Sequence, residues 1–206
     1  MRRQRARALL VDLDGVLRHV PEIKILQIEQ RYGMEPGRLR DTATVWGRMQ
    51  PALVGEVSHA QWMSTVADEL TFAAGGPERA RAAVEAWQAE RGIVDQDVLA
   101  FLREVRAAGL PVGIATNGTD ALPADLDALD LTGEVDVVVN SSVVGTHKPA
   151  REFFVAACQA LRLPPTVVFF IDADDRAVRG ARAAGLSALR WSGPADLAYV
   201  RAALDL

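Results

Sequence analysis

Short apolar runs alternate with helix-like segments along this chain, and this alternation restricts the fold more than any other feature. The runs lie at residues 7–12, 110–116, 135–139, 166–171 and 187–191. Strands that alternate with helices of ten to fifteen residues form parallel sheets covered by helices. The runs lack polar alternation, as is typical of strands buried on both faces. The sequence therefore predicts an α/β fold with a parallel sheet flanked by helices.

A long helical segment interrupts this alternation directly after the first run. Residues 21–91 contain no convincing strand and show apolar positions at helical spacing. We expect an inserted α-helical cap domain at 19–92. The catalytic core then comprises residues 1–18 and 93–206, with a hinge at each of the two crossings, where the chain passes between core and cap.

Within this segment, four helix starts are predicted from capping and breaking residues. One helix begins at Pro21, a second begins at Glu35 and runs toward Met49, a third follows Ser58, and a fourth begins at Pro77. The tryptophans of the segment are expected in its small core. They are Trp46, Trp62 and Trp87.

The composition excludes several classes of protein. The net charge of −4 gives no indication of a nucleic-acid partner. No run of about eighteen apolar residues is present, so no membrane-spanning helix is expected. Cys158, the single cysteine, cannot form an internal disulfide and is interpreted as a small core residue. We expect a cytoplasmic enzyme that takes a small molecule, as a monomer or a homodimer.

Polar residues follow four of the predicted strands at the point where each strand ends. In parallel sheets, ligands bind beyond the carboxyl ends of the strands. Any one of these sites could be a turn, an N-cap or a solvated acidic cluster, but together they indicate one site. They are Asp12 with Asp14, Thr116-Asn117-Gly118, His147-Lys148-Pro149 and Asp172-Ala173-Asp174.

This set of residues suits phosphoryl transfer. A carboxylate can attack phosphorus, and a second carboxylic acid can protonate the leaving oxygen. A hydroxyl, backbone N–H groups and a lysine can hold the other phosphate oxygens. Several carboxylates can bind a hard cation, and Mg²⁺ is the usual cation beside phosphate.

The motifs, in their order and spacing, resemble those of the haloacid dehalogenase-like hydrolases. They read Asp-Leu-Asp-Gly-Val, Ile-Ala-Thr-Asn-Gly, His-Lys-Pro and Phe-Ile-Asp-Ala-Asp-Asp. The helical insert after the first motif is similar to the subgroup with a small helical cap in that position. The resemblance covers essentially the whole chain and implies a Rossmann-like core.

The resemblance implies a role for each motif. Asp12 would be the nucleophile and a metal ligand, and Asp14 would be the general acid/base, with its backbone carbonyl on the metal. Thr116 would bind phosphate through its hydroxyl, helped by the N–H group of Asn117. Lys148 would neutralise Asp12 and the phosphate.

The acidic motif departs from the family pattern. Relatives with caps usually carry two adjacent acids there, and the second is typically the Mg²⁺ ligand. This chain has Ala173 at the second position. We expect Asp172 to replace it in the metal site because Asp172 ends the strand, with Asp174 as the reserve.

Three functions remain open from the sequence. The first is a Mg²⁺-dependent phosphatase that acts on a small phosphorylated metabolite through an aspartyl-phosphate. The second is a 2-haloacid dehalogenase. Dehalogenases of the family generally lack the second aspartate of the first motif, so Asp14 favours the phosphatase. The missing acid at Ala173 argues mildly for the dehalogenase. The third is a non-catalytic sensor of a phosphorylated ligand. Arg18 and His19 follow the first motif and could contact a substrate, but solvent-facing linker residues are the favoured interpretation.

Overall fold

A parallel sheet of five strands forms the centre of the computed structural model, which describes residues 5–206. Two further short strands pair outside this sheet. The first four residues of the predicted core range 1–18 lie outside the described residues. The strands are β1 (Ala8–Val11), β2 (Arg18–His19), β3 (Ile93–Val94), β4 (Val112–Thr116), β5 (Val137–Asn140), β6 (Val168–Asp172) and β7 (Ser187–Arg190).

Helices cover both faces of the sheet and fill the segment between β2 and β3. They are α1 (Glu22–Arg31), α2 (Arg38–Ala43), α3 (Trp46–Leu53), α4 (His59–Leu70), α5 (Pro77–Ala89), α6 (Gln96–Ala107), α7 (Leu122–Ala128), α8 (Ser141–Val144), α9 (Arg151–Leu161), α10 (Asp175–Ala183) and α11 (Leu197–Leu204). None of the helices in residues 5–206 has the length and apolar character needed to cross a bilayer.

The order of strands in the sheet is β5-β4-β1-β6-β7, and all neighbours are parallel. Strand β1 is therefore central and fully buried. Leu9 and Val11 belong to the apolar core on one face, with Phe101 of α6. Ala8 and Leu10 belong to the core on the other face, with the aromatic rings of α9 and β6. The predicted α/β sheet flanked by helices is confirmed.

Close packing between β4 and its neighbours requires a glycine at position 113. A Cβ atom there would lie 2.5 Å from Val137 Cγ2 and 2.8 Å from Leu10 Cδ2. Gly113 thus lets the strand that carries Thr116 pack tightly against the rest of the sheet.

The helical block, residues 22–89, has an apolar core of its own. Its buried residues include Leu39, Met63, Val66, Leu70 and Val84, and none of them belongs to the two cores on the sheet. The predicted N-cap at Ser58 is present as a capping box with Gln61. Capping and packing together therefore account for α4.

Two expectations about the helical block were wrong. The helix predicted from Glu35 toward Met49 is two helices, because Val45 is extended (ψ 116°) between α2 and α3. Trp46 is 53% exposed and contacts the ring of His147 edge-on instead of entering the core. Trp62 and Trp87 pack against the core as expected.

A buried carboxylate holds the first two helices of the block together. Glu29 is 1% exposed, and its two oxygens accept hydrogen bonds from the backbone N–H groups of Gly37 and Leu39, both at 2.8 Å. These N–H groups have no partner within the first turn of α2. The buried charge is therefore compensated by a helix N-terminus.

Two short segments connect the helical block to the sheet, and these segments form β-strand hydrogen bonds with each other. In β2 and β3, Arg18 lies opposite Val94 and His19 lies opposite Ile93, in antiparallel register. The two crossings are therefore joined as one ribbon rather than independent linkers.

Candidate active site

Three predicted site residues meet in a buried cluster at the carboxyl ends of the central strands. Asp12 follows β1, Asp172 ends β6, and Lys148 lies in the loop between α8 and α9. Lys148 Nζ lies 2.8 Å from Asp12 Oδ1 and 2.6 Å from Asp172 Oδ2. We call these three residues the Lys148 cluster. Their side chains are at most 12% exposed.

The charges of the Lys148 cluster perturb one another. Burial raises the pKa of Asp12 to about 6, with Lys148 opposing the rise and the negative charge of Asp172 adding to it. Burial lowers the pKa of Lys148, but its two carboxylate partners outweigh this, so the net shift is upward. The ammonium therefore stays charged at neutral pH, with a buried excess of negative charge around it once Asp12 ionises.

The two oxygens of Asp12 have different surroundings. Oδ1 accepts a hydrogen bond from the N–H group of Leu13 at 2.8 Å and also faces Lys148. No hydrogen bond to Oδ2 is found within residues 5–206. One oxygen is thus fixed while the other is available to react or to bind a cation.

The side chain of Asn117 positions the loop that carries Lys148. Its Oδ1 accepts from the N–H group of Lys148 at 2.7 Å, and its Nδ2 donates to the carbonyl of Lys148 at 3.1 Å. The sequence suggested only a backbone contact of Asn117 with phosphate and missed this clamp. An amide can pair with both backbone groups of one residue, so an Asn facing a Lys-Pro loop is the signal that could have indicated it.

Asp14 lies outside the Lys148 cluster and is held by Arg18. Arg18 Nε donates to Asp14 Oδ1 at 2.7 Å and Nη2 donates to Oδ2 at 3.0 Å. Arg18 Nη1 also donates to Asp125 of α7 at 3.2 Å, and Arg91 pairs with the same Asp125. The interpretation of Arg18 as a solvent-facing residue was wrong, since its side chain is 12% exposed. The two carboxylates within reach draw the guanidinium inward.

The acidic motif after β6 divides its residues between two tasks. Asp172 is 1% exposed, and its Oδ1 accepts from the N–H group of Asp174 at 2.7 Å. Asp174 is the N-cap of α10, where it accepts from the N–H group of Arg176 at 2.9 Å. Ala173 faces the first motif, because a Cβ atom on Gly15 would lie 3.2 Å from Ala173 Cβ. Asp172 rather than Asp174 therefore belongs to the buried cluster.

The Lys148 cluster offers a limited set of metal ligands. Among the described residues, no three His, Cys, Asp or Glu side chains group into a metal site. Mg²⁺ commonly uses only one or two carboxylates together with water and substrate phosphate. One oxygen of Asp12 and one oxygen of Asp172 lie within 2.8 Å of Lys148 Nζ, and the two carboxylates together exceed Lys148 in charge, so this donor set fits a single Mg²⁺ ion.

A cavity of about 670 Å³ lies between the site and the helical block. Asp14, Thr116 and Asn117 line its floor, and residues of α1, α3, α4 and α5 line the opposite side. The apolar residues of that side are Ile25, Met49, Leu53, Trp62, Met63 and Trp87, and we call them the six wall residues. Asp14, Thr116 and Asn117 thus border a space large enough for a small organic molecule.

Two curated phosphatases are similar to this chain. It is 36% identical to the phosphoserine phosphatase of Thermus thermophilus over 126 residues, which cover 59% of this chain and 51% of that protein. It is 28% identical to phosphatase MT3486 of Mycobacterium tuberculosis over 205 residues, which cover 88% of this chain and 85% of that protein. The chain thus spans about half of the first relative and most of the second.

Solved structures share the fold at low sequence identity. A HAD family enzyme of Bacteroides thetaiotaomicron, in complex with magnesium and inorganic phosphate, matches with a TM-score of 0.72 and 17% identity, over 91% of this chain and 94% of that chain. The L-2-haloacid dehalogenase of Xanthobacter autotrophicus, with chloropropionic acid covalently bound, matches with a TM-score of 0.67 and 23% identity, over 95% of this chain and 81% of that chain. At these identities the likeness establishes the fold.

The family itself is established from the sequence as a whole. The haloacid dehalogenase-like hydrolase model matches residues 6–185, which include all four motifs. The five-stranded parallel sheet carries those motifs on the ends of its strands and on the loop after α8. The chain therefore belongs to the haloacid dehalogenase-like hydrolases.

Proposed function

We propose that this hydrolase is a Mg²⁺-dependent phosphatase that acts on a small phosphorylated metabolite through an aspartyl-phosphate intermediate. The observation that carries the proposal is the buried Asp12 carboxylate, which has one oxygen fixed by Lys148 and Leu13 and lies two residues before a second carboxylate, Asp14, that lines the cavity. Both curated relatives described above are phosphatases.

In the proposed first step, an oxygen of Asp12 attacks phosphorus, and the bond from phosphorus to the ester oxygen breaks. Asp14 gives its proton to the leaving alcohol. In the second step, water attacks phosphorus, Asp14 accepts the proton of that water, and the acyl-phosphate bond breaks to release phosphate and restore Asp12. Lys148, the hydroxyl of Thr116 and the N–H group of Asn117 hold the phosphate oxygens.

Asp12, Asp172 and the backbone carbonyl of Asp14 would hold the Mg²⁺ ion. When bound, the ion supplies positive charge that offsets the repulsion between the Asp12 carboxylate and an anionic phosphate. The excess negative charge of the Lys148 cluster supports this assignment.

We further propose that residues 19–92 act as a cap over a core formed by residues 1–18 and 93–206. The separate apolar core of the helical block and the ribbon of β2 and β3 support this division. Closure of such a cap would exclude water until the intermediate forms. The buried and unpaired Cys158 is in keeping with a cytoplasmic location.

A dehalogenase is the second candidate, because Ala173 removes an acid from the motif that serves a metal. Dehalogenation needs neither a metal nor protonation of the leaving group. Asp14 favours the phosphatase, since a halide ion leaves without a proton. A sensor of a phosphorylated ligand would keep the fold without turnover.

One set of assays separates the three functions. We expect the protein to release phosphate from p-nitrophenyl phosphate with Mg²⁺, much less with EDTA, and not at all as Asp12→Asn. Metal-independent release of chloride from 2-chloropropionate would replace the proposal with a dehalogenase. No turnover of any phosphate ester, together with a raised Tm in the presence of one, would replace it with a sensor.

A further inference from the structure

The cavity above Asp14 and Thr116 is much larger than a phosphate group needs, so its far side contacts the leaving group. That side is formed by the six wall residues, two of which are tryptophans. Sites of this size achieve affinity through apolar contact and specificity through a few unpaired polar groups. Which leaving group fits therefore depends on whether the polar groups on this side are already hydrogen-bonded within the protein or are available to a substrate.

Two polar groups on the cavity side of the helical block are already used within the block. The indole N–H of Trp62 donates to the carbonyl of Ala43 at 3.2 Å. The hydroxyl of Thr44 donates to the carbonyl of Arg40 at 2.9 Å. Trp62 therefore presents its ring to the cavity, and its donor is turned away.

His59 is used at both of its ring nitrogens. Nε2 lies 3.0 Å from the carbonyl oxygen of the Gln88 side chain, and Nδ1 lies 3.1 Å from the hydroxyl of Thr119. That hydroxyl accepts from the N–H group of Ala121, so its own proton can donate to Nδ1. Gln88 also donates to the carbonyl of Val84. A neutral His59 satisfies this whole chain and has no ring nitrogen left for a substrate hydroxyl.

The cations that line the cavity are also paired. Asp14 and Asp125 hold Arg18, and Asp125 also holds Arg91. Arg40 pairs with Glu22 at 3.4 Å, and the imidazole of His19, which also lines the cavity, lies 3.5 Å from Asp95.

The side-chain carboxylate of one lining acid, Glu90, has no hydrogen bond or ion pair with any residue in the range 5–206. A carboxylate on the leaving group would therefore meet paired cations and one uncompensated negative charge. The charges of the cavity thus disfavour an acidic leaving group.

We propose that the natural substrate is the phosphate monoester of an uncharged, largely apolar alcohol. This inference rests on the proposed phosphatase function and deepens it. A sugar would bury several hydroxyl groups against six apolar side chains and polar groups that are mostly hydrogen-bonded already, and the carboxylate of an amino-acid alcohol would share the cavity with Glu90, whereas an alkyl or arylalkyl group would fill the space.

Esters of primary alcohols test this choice, because their leaving groups are similar in intrinsic reactivity. We expect kcat/KM for hexyl phosphate and 3-phenylpropyl phosphate to exceed that for glucose 6-phosphate, O-phosphoserine and 2-aminoethyl phosphate by about tenfold or more. Equal rates, or a preference for any of the three polar esters, would overturn the inference. A preference for 2-aminoethyl phosphate would assign Glu90 as its partner instead.

Variants of the wall locate the preference. Met49→Gln, at a half-buried position, should raise KM for hexyl phosphate about tenfold and leave KM for O-phosphoserine unchanged. Phe72→Ala is the control, because Phe72 lies in the same helical block but is 98% exposed and outside the cavity. Unchanged discrimination in Met49→Gln, with its Tm close to that of the wild type, would contradict the assignment of this wall.

A binding measurement keeps the inference separate from the proposed function. If p-nitrophenyl phosphate and every other ester remain intact, the phosphatase proposal fails. Hexylphosphonate, which cannot be hydrolysed, should then still raise the Tm of the wild-type protein more than 2-aminoethylphosphonate does. An equal shift with the two phosphonates would overturn the apolar site as well.

Discussion

Arg18 holds both oxygens of Asp14, with hydrogen bonds of 2.7 and 3.0 Å from two nitrogens of one guanidinium. Such bidentate pairs are strong and directional. Arg18 lies on β2, which leads into the helical block. This pair therefore connects the proposed acid/base residue to the ribbon of β2 and β3, which we call the hinge ribbon. In the proposed mechanism, at least one of these hydrogen bonds must break before Asp14 can protonate a leaving group.

Removing this pair should destabilise the fold. Arg18→Ala should lower the free energy of unfolding by about 1–3 kcal/mol, because it leaves Asp14 without its partner and Asp125 with Arg91 alone. Urea unfolding measures the change. Arg81→Ala is the matched control, because the pair of Arg81 with Glu78 is largely exposed, and it should cost about 0.5 kcal/mol or less. Equal losses in the two variants would contradict the prediction.

The raised pKa of Asp12 gives stability a definite dependence on pH. Its pKa is about 6 in the folded protein, above the 3.8 of a free side chain. Between these values the unfolded chain has lost a proton that the folded protein keeps, so stability falls as pH rises from about 4 to 6 and then levels off. The Asp12→Asn variant has no carboxyl group at this position, so its stability should not show this fall between pH 4 and pH 6.

The measurement is the Tm of both proteins from pH 4 to pH 8 with EDTA present. The difference in Tm, Asp12→Asn minus wild type, should increase up to about pH 6 and stay constant above it. A difference that does not change with pH would show that the folded protein does not raise this pKa.

Ala173→Asp should strengthen binding of Mg²⁺. The side chain at this position faces the loop of Asp14 and Gly15, where a third carboxylate would join Asp12 and Asp172. We expect half-maximal activity at a lower Mg²⁺ concentration and a larger rise of Tm on addition of Mg²⁺. Ala173→Asn has nearly the same size without the charge and is the control. An unchanged Mg²⁺ dependence in Ala173→Asp would indicate that Asp172 already supplies the acid that the motif lacks.

Loss of the Asn117 clamp should affect catalysis more than stability. Asn117→Ala removes both hydrogen bonds to the backbone of Lys148, and the ammonium then loses its fixed position. We expect kcat to fall about 10- to 100-fold.

Asn140→Ala serves as the comparison for this variant. Asn140 also ties down a loop, through the carbonyl of Thr119, without contact to Lys148. It should lower the Tm with a smaller effect on kcat. A larger fall of kcat in Asn140→Ala than in Asn117→Ala would contradict the role of the clamp.

The sheet and the position of its acidic ends could be predicted because they depend on backbone periodicity. A buried strand reads as an apolar run, and parallel strands place their carboxyl ends at one edge. The positions of Asp12 and Asp172 at this edge could be predicted from the apolar runs that precede them. Lys148 comes from a loop, and only the motif as a whole indicated that it would join them.

The contacts that could not be predicted depend on where side chains point after a turn. Gly15 adopts a φ of 82°, and the chain reverses there so that Arg18 meets Asp14. Each strand of the hinge ribbon has two residues, too few to show a period. Trp46 was misplaced because helix α3 begins at that residue, which turns the indole toward His147.

The six wall residues all belong to one uninterrupted stretch of chain, from α1 to α5, that is inserted between two strands of the hinge ribbon. The proposed reacting groups, at Asp12, Thr116, Lys148 and Asp172, lie entirely outside it. A single exchange of that stretch between related genes would replace every wall residue and leave the reacting groups in place. In the proposed phosphatase, a new preference for leaving groups could thus be inherited as one segment.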